Sequence, residues 1–166
     1  MAANPGDWYY EQVELGYNFF MTEFQCALGM SQLKKLSRFV SRRREIVSRY
    51  NKAFTSLEPL CKIPIESLYN DSAFHLYILC LDFLKIDIDR TTFMLQLRQR
   101  GIQTQVHYIP IHTQPYYQKN FGTRWGDYPN AEIYYQQCLS IPLYPAMTDE
   151  DVERVVREVS SMILQR

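Results

Sequence analysis

The sequence lacks net charge, long apolar runs and clustered cysteines, and each absence removes a class of function. Eighteen basic residues balance eighteen acidic ones, so the chain offers no bulk attraction to nucleic acid or to an anionic membrane. No apolar run approaches the roughly 20 residues that a membrane-spanning helix needs. The opening Met1-Ala2-Ala3-Asn4-Pro5-Gly6-Asp7 has neither the basic region nor the apolar core of a signal peptide. The four cysteines, Cys26, Cys61, Cys80 and Cys138, form no C-x-x-C pair. Zinc-ribbon and thioredoxin-like chemistry are therefore unsupported, and the cysteines read as small core residues of a reduced, cytoplasmic protein. There is no internal repeat, no low-complexity segment and no nucleophile motif of the hydrolase kind.

What is present is a globular composition of 166 residues, 46% hydrophobic, with thirteen tyrosines and nine phenylalanines to fill a core. That length suits one domain, or one domain with an appended arm. Thr22 and Gln25 form a capping box at the start of a helix, with Phe24, Ala27 and Leu28 on one face and small Ala27 and Gly29 permitting close packing. A longer helix is predicted from Lys34 to Leu57, carrying the stripe Leu33, Leu36, Val40, Val47, Tyr50, Phe54 and Leu57. Arg42, Arg43 and Arg44 fall away from that stripe and read as a solvated face. Pro59 ends the helix, and Cys61 to Pro64 reads as a short edge strand.

Phe74 to Leu81 is apolar on both faces, which predicts a central strand covered on each side. Asp89 caps a helix from Arg90 to Arg100, and Gly101 is its C′ residue. Ile102 to Tyr108 alternates, with Ile102, Val106 and Tyr108 on one face and Gln103, Gln105 and His107 on the other. A short helix falls within Thr113 to Phe121. Asn130 is expected to cap a helix holding Ile133, Tyr134 and Leu139, followed by an extended Ile141-Pro142-Leu143-Tyr144-Pro145. Thr148 caps the last helix, whose inner face is Val152, Val155, Val156, Val159 and Ile163. The element order predicts an α/β (α+β) domain with a short, mostly antiparallel sheet flanked by helices.

Two stretches could carry chemistry. In Gly16 to Gly29, Asn18 stands before the helix in irregular backbone whose amides could face a ligand. In Gly101 to His112, His107 and His112 flank a Pro-bent strand end, where imidazole nitrogens could hold phosphate or sugar hydroxyls. Two histidines without a third ligand make a poor metal site, and none is expected.

Glu14-Leu15-Gly16-Tyr17-Asn18-Phe19, then Met21-Thr22-Glu23, Gln25, Ala27-Leu28-Gly29 and Ser31-Gln32-Leu33 resemble a signature of the DegT/DnrJ/EryC1/StrS family of pyridoxal-phosphate sugar aminotransferases. The Trp8 to Gln12 lead-in is similar to the members that aminate C4 of a UDP-linked 4-keto-6-deoxy-N-acetylhexosamine, as in pseudaminic acid biosynthesis. Ser72 to Tyr77, Gly101 to His112, Pro115-Tyr116-Tyr117, Pro129 to Glu132, Leu139 to Pro145 and Thr148 to Asp151 extend the resemblance over nearly the whole chain.

The resemblance implies the small C-terminal domain of a fold type I aminotransferase. Residues 1–33 would be an arm and short helix left from the large domain, and residues 34–166 the small domain with its linking helix. It implies that Asn18 reaches the phosphate of a neighbouring subunit's pyridoxal phosphate, and that His107, Tyr108 and His112 wall a nucleotide-sugar pocket. Phe20 stands where the family usually has Arg.

The family's Schiff-base lysine lies upstream of the Gly-Tyr-Asn segment. None of the six lysines here, Lys34, Lys35, Lys52, Lys62, Lys85 and Lys119, has the Ser-x-His-x-x-Lys context. The expectation is a truncated fragment with no catalytic residue of its own, no cofactor bound to this chain alone and no activity in isolation. A self-associating module joined through the aromatic arm, in a homodimer for instance, and a nucleotide-sugar-binding remnant stand as alternatives.

Overall fold

The computed structural model describes Gly6, residues 9–67 and residues 69–164. It separates into two compact units, Met1–Leu36 and Ser37–Arg166. In the first unit the chain is irregular from Tyr9 to Met21 and then forms α1 (Glu23–Leu33). The Thr22–Gln25 capping box is present: the Gln25 amide donates to Thr22 Oγ1 at 3.3 Å, and the Thr22 amide donates to Gln25 Oε1 at 2.9 Å. The close packing expected of Ala27 and Gly29 is not found. No residue of α1 is buried, and nothing lies within 4 Å of the point where a Gly29 Cβ would be. Trp8, part of the expected aromatic lead-in, lies outside the described residues.

The second unit is built on α2 (Leu36–Phe54), two residues shorter at its start than the spacing suggests and closed by a 3-10 turn over Thr55–Leu57. Three antiparallel strands, β1 (Cys61–Lys62), β2 (Tyr77–Leu81) and β3 (Cys138–Ile141), lie in the order β1-β2-β3, so β2 is central as expected. Tyr77, Leu79 and Leu81 are fully buried, while Ile78 and Cys80 are half-buried. Tyr50, Phe54 and Tyr77 form an aromatic trio with centroids 5.0 to 6.4 Å apart. Each buried phenol has a partner: Tyr50 donates to the Pro142 carbonyl at 2.9 Å, and Tyr77 donates to Asn51 Oδ1 at 2.7 Å. Burial pushes both phenol pKa values up, so they remain neutral donors.

Four helices and one single turn complete the unit. The turn α3 (Phe83–Ile86) is capped by Asp82, whose side chain accepts from the Lys85 amide. Next come α4 (Arg90–Gln99), α5 (Pro115–Phe121), α6 (Pro129–Gln137) and α7 (Asp149–Leu164). Asp89 caps α4, and Gly101 follows it with φ +80°, a conformation that favours glycine. A Cβ there would also meet Arg154 at 2.8 Å. Thr148 and Asp151 form a reciprocal cap on α7, which buries Val152, Val155, Val159, Met162 and Ile163.

Further expectations are corrected. Ile102 to Tyr108 is not a strand: only Gln105 pairs, as an isolated bridge to Ser140, and Tyr108 is exposed whereas Ile102, expected on the same face, is buried. The third strand is instead Cys138–Ile141, which places Leu139 in the sheet and not on a helix. Asn130 is not the cap of α6; Tyr128 takes that place and Pro129 begins the helix, whose first turn needs no proline N–H. Cys26 is exposed, whereas Cys61 and Cys138 are buried and Cys80 is half-buried. Burial pushes the Cys61 thiol up to about 12.

The arginine triplet is not a solvated face. Arg42 Nη2 donates to the Met147 carbonyl at 2.7 Å and to Asp149 Oδ1 at 2.8 Å. Arg43 Nη1 donates at 3.1 Å to each of the Phe74, His75 and Leu143 carbonyls. Arg44 donates to the Ser72 carbonyl at 3.0 Å and pairs with Asp71. Helical periodicity detects apolar stripes and is blind to cations that satisfy distant carbonyls.

Asp149 also accepts from Arg49 at 2.7 Å, and the hydrogen bonds from Arg42 and then Arg49 hold its carboxyl below the ordinary 3.8. A carboxyl with a lowered folded-state pKa stabilises the fold above its unfolded value and loses that effect as pH falls through the folded value. Asp149→Asn is therefore expected to lower the melting temperature at pH 7. The gap to the parent chain closes as pH drops below about 3.8, as thermal unfolding across pH will show.

Candidate functional site

His107 and Tyr108 are positioned by β3. The Gln105 amide donates to the Ser140 carbonyl at 3.1 Å, and the Ser140 amide donates back to the Gln105 carbonyl at 2.8 Å. This bridge delivers His107 Nδ1 to 2.7 Å from the buried Ser140 hydroxyl. The Tyr108 ring meets the His107 ring edge-on at 4.6 Å and is 72% exposed. His107 is thus a half-buried imidazole anchored at one nitrogen beside an open phenol.

His112 belongs to a different cluster. It lies in a 3-10 turn, Ile111–Thr113, whose Thr113 amide and hydroxyl both donate to the Pro110 carbonyl. Its Nε2 is 2.8 Å from Glu132 Oε1 on α6. The same oxygen accepts from the Gly126 amide at 2.7 Å and, at a longer 3.4 Å, from the Tyr128 amide. Thr123 Oγ1 donates to the His112 carbonyl at 2.6 Å. The carboxylate therefore ties Gly126 and Tyr128 to the imidazole, and the His112 carbonyl ties Thr123. Gly126 turns the chain at φ +98°.

Burial alone would raise the Glu132 carboxyl, but the His112 hydrogen bond and the Gly126 and Tyr128 amides outweigh it and hold it below the ordinary glutamate value. Tyr128 and Trp125 flank the His112 ring at 4.8 and 6.4 Å. The structure brings His107 to Tyr108 and gives His112 its own frame. Glu132, Trp125 and Tyr128 escaped sequence reasoning as functional residues. No sequence spacing points to Glu132, which lies twenty residues beyond His112.

Asn18 lies in the first unit and is exposed. Its Oδ1 accepts from the Phe20 amide at 3.0 Å, while its amide nitrogen has no hydrogen bond among the described residues. Phe20 is 93% exposed.

The sequence profile described as the DegT/DnrJ/EryC1/StrS aminotransferase family matches residues 1–160. The chain belongs to that family. It is 42% identical over 162 residues to the spore coat polysaccharide biosynthesis protein SpsC of Bacillus subtilis, covering 97% of this chain and 41% of SpsC. Among solved structures, Helicobacter pylori PseC, an aminotransferase involved in pseudaminic acid biosynthesis, superposes with a TM-score of 0.82 at 28% identity. That match covers 97% of this chain and 42% of PseC. DesV of S. venezuelae, solved in complex with a ketimine intermediate, superposes with a TM-score of 0.84 at 25% identity, again over 97% of this chain and 42% of that one. The chain spans about two fifths of the length of these relatives.

The family's aminotransferases depend on pyridoxal phosphate, and the lysines here do not fit its covalent attachment. Lys34, Lys52, Lys62, Lys85 and Lys119 are exposed, Lys35 is half-buried, and Lys85 pairs with Asp82 at 2.6 Å. None has the desolvated pocket that makes an amine nucleophilic at neutral pH. No group of three or more His, Cys, Asp or Glu among the described residues could hold a metal, and no helix there is long and apolar enough to cross a membrane.

The Ser140 hydroxyl is the anchor of His107. Ser140→Ala is expected to cost about 0.5–1.5 kcal/mol of unfolding free energy, read by urea denaturation, because a largely buried hydrogen bond is lost.

Proposed function

We propose that this chain serves as the small domain of a nucleotide-sugar aminotransferase. In that reaction the amino group of glutamate replaces the C4 keto oxygen of a UDP-4-keto-6-deoxy-N-acetylhexosamine, leaving 2-oxoglutarate. The observation that carries this reading is the unbroken family match over residues 1–160, joined to 42% identity with a polysaccharide biosynthesis protein. When bound, pyridoxal phosphate supplies the electron sink for amino transfer. The role of this chain is to wall the sugar pocket with His107, Tyr108 and His112 and to offer Asn18 to the phosphate of a neighbouring subunit's cofactor.

Without an enclosed lysine the chain has no covalent hold on the cofactor, so it does not transaminate alone. Added pyridoxal phosphate is expected to leave no borohydride-stable adduct at a defined lysine, as peptide mass mapping will show. A stoichiometric adduct at one lysine contradicts this reading.

A second reading, self-association through the arm, is favoured by one specific observation. Tyr10, Val13, Leu15, Tyr17, Phe19 and Phe20 are each more than 80% exposed, an apolar density that single surface residues do not reach. Sedimentation equilibrium is expected to show a dimer that reverts to monomer in a Tyr17→Ser/Phe19→Ser/Phe20→Ser variant. A monomer at high concentration in the parent chain dismisses it.

A further inference from the structure

We propose that Cys80 and Cys138 are a paired thiol site that exchanges with the disulfide of a small thiol and closes as a cross-strand disulfide between β2 and β3. The two residues are partners in the β2–β3 register. The Ser140 amide and carbonyl both bond to Gln105, so both point away from β2, and Ser140 and Ile78 exchange no hydrogen bonds. Antiparallel pairing alternates, so Leu139 and Leu79 are the bonded pair, and Cys138 and Cys80 are again a non-bonded one. The Cys138 amide agrees with this, because it turns back to the Tyr134 carbonyl. In such a pair the Cα atoms lie about 4.5 Å apart, inside the roughly 4.4–6.8 Å that a disulfide spans. Both side chains share the face of Ile78 and Ser140, while Leu79, Leu81 and Leu139 are fully buried on the other. Cys61 pairs with Leu81 and so belongs to that opposite face, which leaves Cys80 and Cys138 to each other.

The surroundings of the pair set the order of events. Cys80 is half-buried and Cys138 fully buried, so a reagent meets Cys80 first. Burial, then the Cys138 thiol, pushes the Cys80 thiol up, and Lys62, its register partner on β1, acts the other way. Burial also pushes the Cys138 thiol up, against Arg90. A cation therefore opposes burial at each sulfur and favours the thiolate, the form that attacks a disulfide. In the first step Cys80 gives up its proton and its sulfur attacks one sulfur of the small disulfide. That S–S bond breaks, and one small thiol leaves carrying a proton. In the second step the Cys138 sulfur gives up its proton and its contact with the Tyr135 carbonyl, 3.5 Å away, and attacks the Cys80 sulfur. The Cys80–Cys138 bond forms and the second small thiol leaves. Two cysteine thiols lose two electrons and two protons, and the small disulfide takes both to become two thiols. The new bond lies on the sheet face that carries the Ser140–His107 contact, two residues along β3.

The test uses the whole chain, reduced and then treated with oxidised glutathione, with free thiols alkylated and peptides mapped without reduction. Cys26→Ser first removes the exposed thiol on α1. This variant is expected to become two hydrogens lighter, with the Cys80 and Cys138 peptides joined and Cys61 alkylated. Cys26→Ser/Cys138→Ser is expected to keep glutathione on Cys80, because no second thiol resolves the mixed disulfide. Cys26→Ser/Cys80→Ser is expected to take up none. Because the strands already stand in register, the joined chain is expected to melt at least about 4 °C above the reduced one. Four results overturn the inference: a link to Cys61, a lasting glutathione adduct on Cys80 beside an intact Cys138, thiols left free by a reagent that fully converts Cys26 in the parent chain, or an unchanged or lower melting temperature.

Discussion

Three carbonyls from two separate stretches of chain converge on one guanidinium nitrogen, Arg43 Nη1. Two of them, from Phe74 and His75, lie on the approach to β2, and the third, from Leu143, lies just beyond β3. Phe74 sits at φ +45°, a left-handed conformation that costs a non-glycine residue roughly 1–2 kcal/mol, and Arg43 holds the carbonyl at that point. Neither stretch is in regular structure there, so no ladder satisfies these groups. The charge on α2 does so, supported by Arg44 on the Ser72 carbonyl and Arg42 on the Met147 carbonyl. The apolar trio of Tyr50, Phe54 and Tyr77 supplies the attraction between α2 and the sheet; the arginines set where the sheet's irregular ends must lie.

That constraint reaches the candidate site through β3. Its exit is fixed at Leu143, its Ser140 pairs with Ile78 across the sheet, and the same Ser140 bridges to Gln105 and anchors His107. The second cluster is framed differently. Glu132, on the helix that leads into β3, gathers His112, Gly126 and Tyr128 on one oxygen. The two imidazoles are therefore each pinned at one nitrogen by a residue from consecutive elements, α6 and β3.

Much of the fold was legible in the sequence because local chemistry decided it. The Thr22–Gln25 box, the Asp89 cap, Gly101 after α4, the Thr148 cap and the valine face of α7 each depend on neighbours a few residues away. The two-faced apolar run at Tyr77 to Leu81 announced a central strand for the same reason. What escaped depends on distance. The alternation of Ile102 to Tyr108 looks like a strand, but only Gln105 finds a partner, since β3 offers that segment a single residue. The carbonyls that the arginine triplet satisfies lie 28 to 105 residues away. The motif order revealed the family. The pairing of His112 with Glu132, twenty residues on, could not be read from spacing.

The α2 arginine clasp is the condition for the β2–β3 frame and hence for the residues that β3 carries. Equilibrium urea unfolding of Arg43→Met tests this most directly, because methionine keeps much of the apolar stem and removes every donor. The account predicts a loss of at least about 2 kcal/mol, as three carbonyls lose a charged donor together. A change within about 0.5 kcal/mol, the range of an ordinary surface substitution, would contradict it.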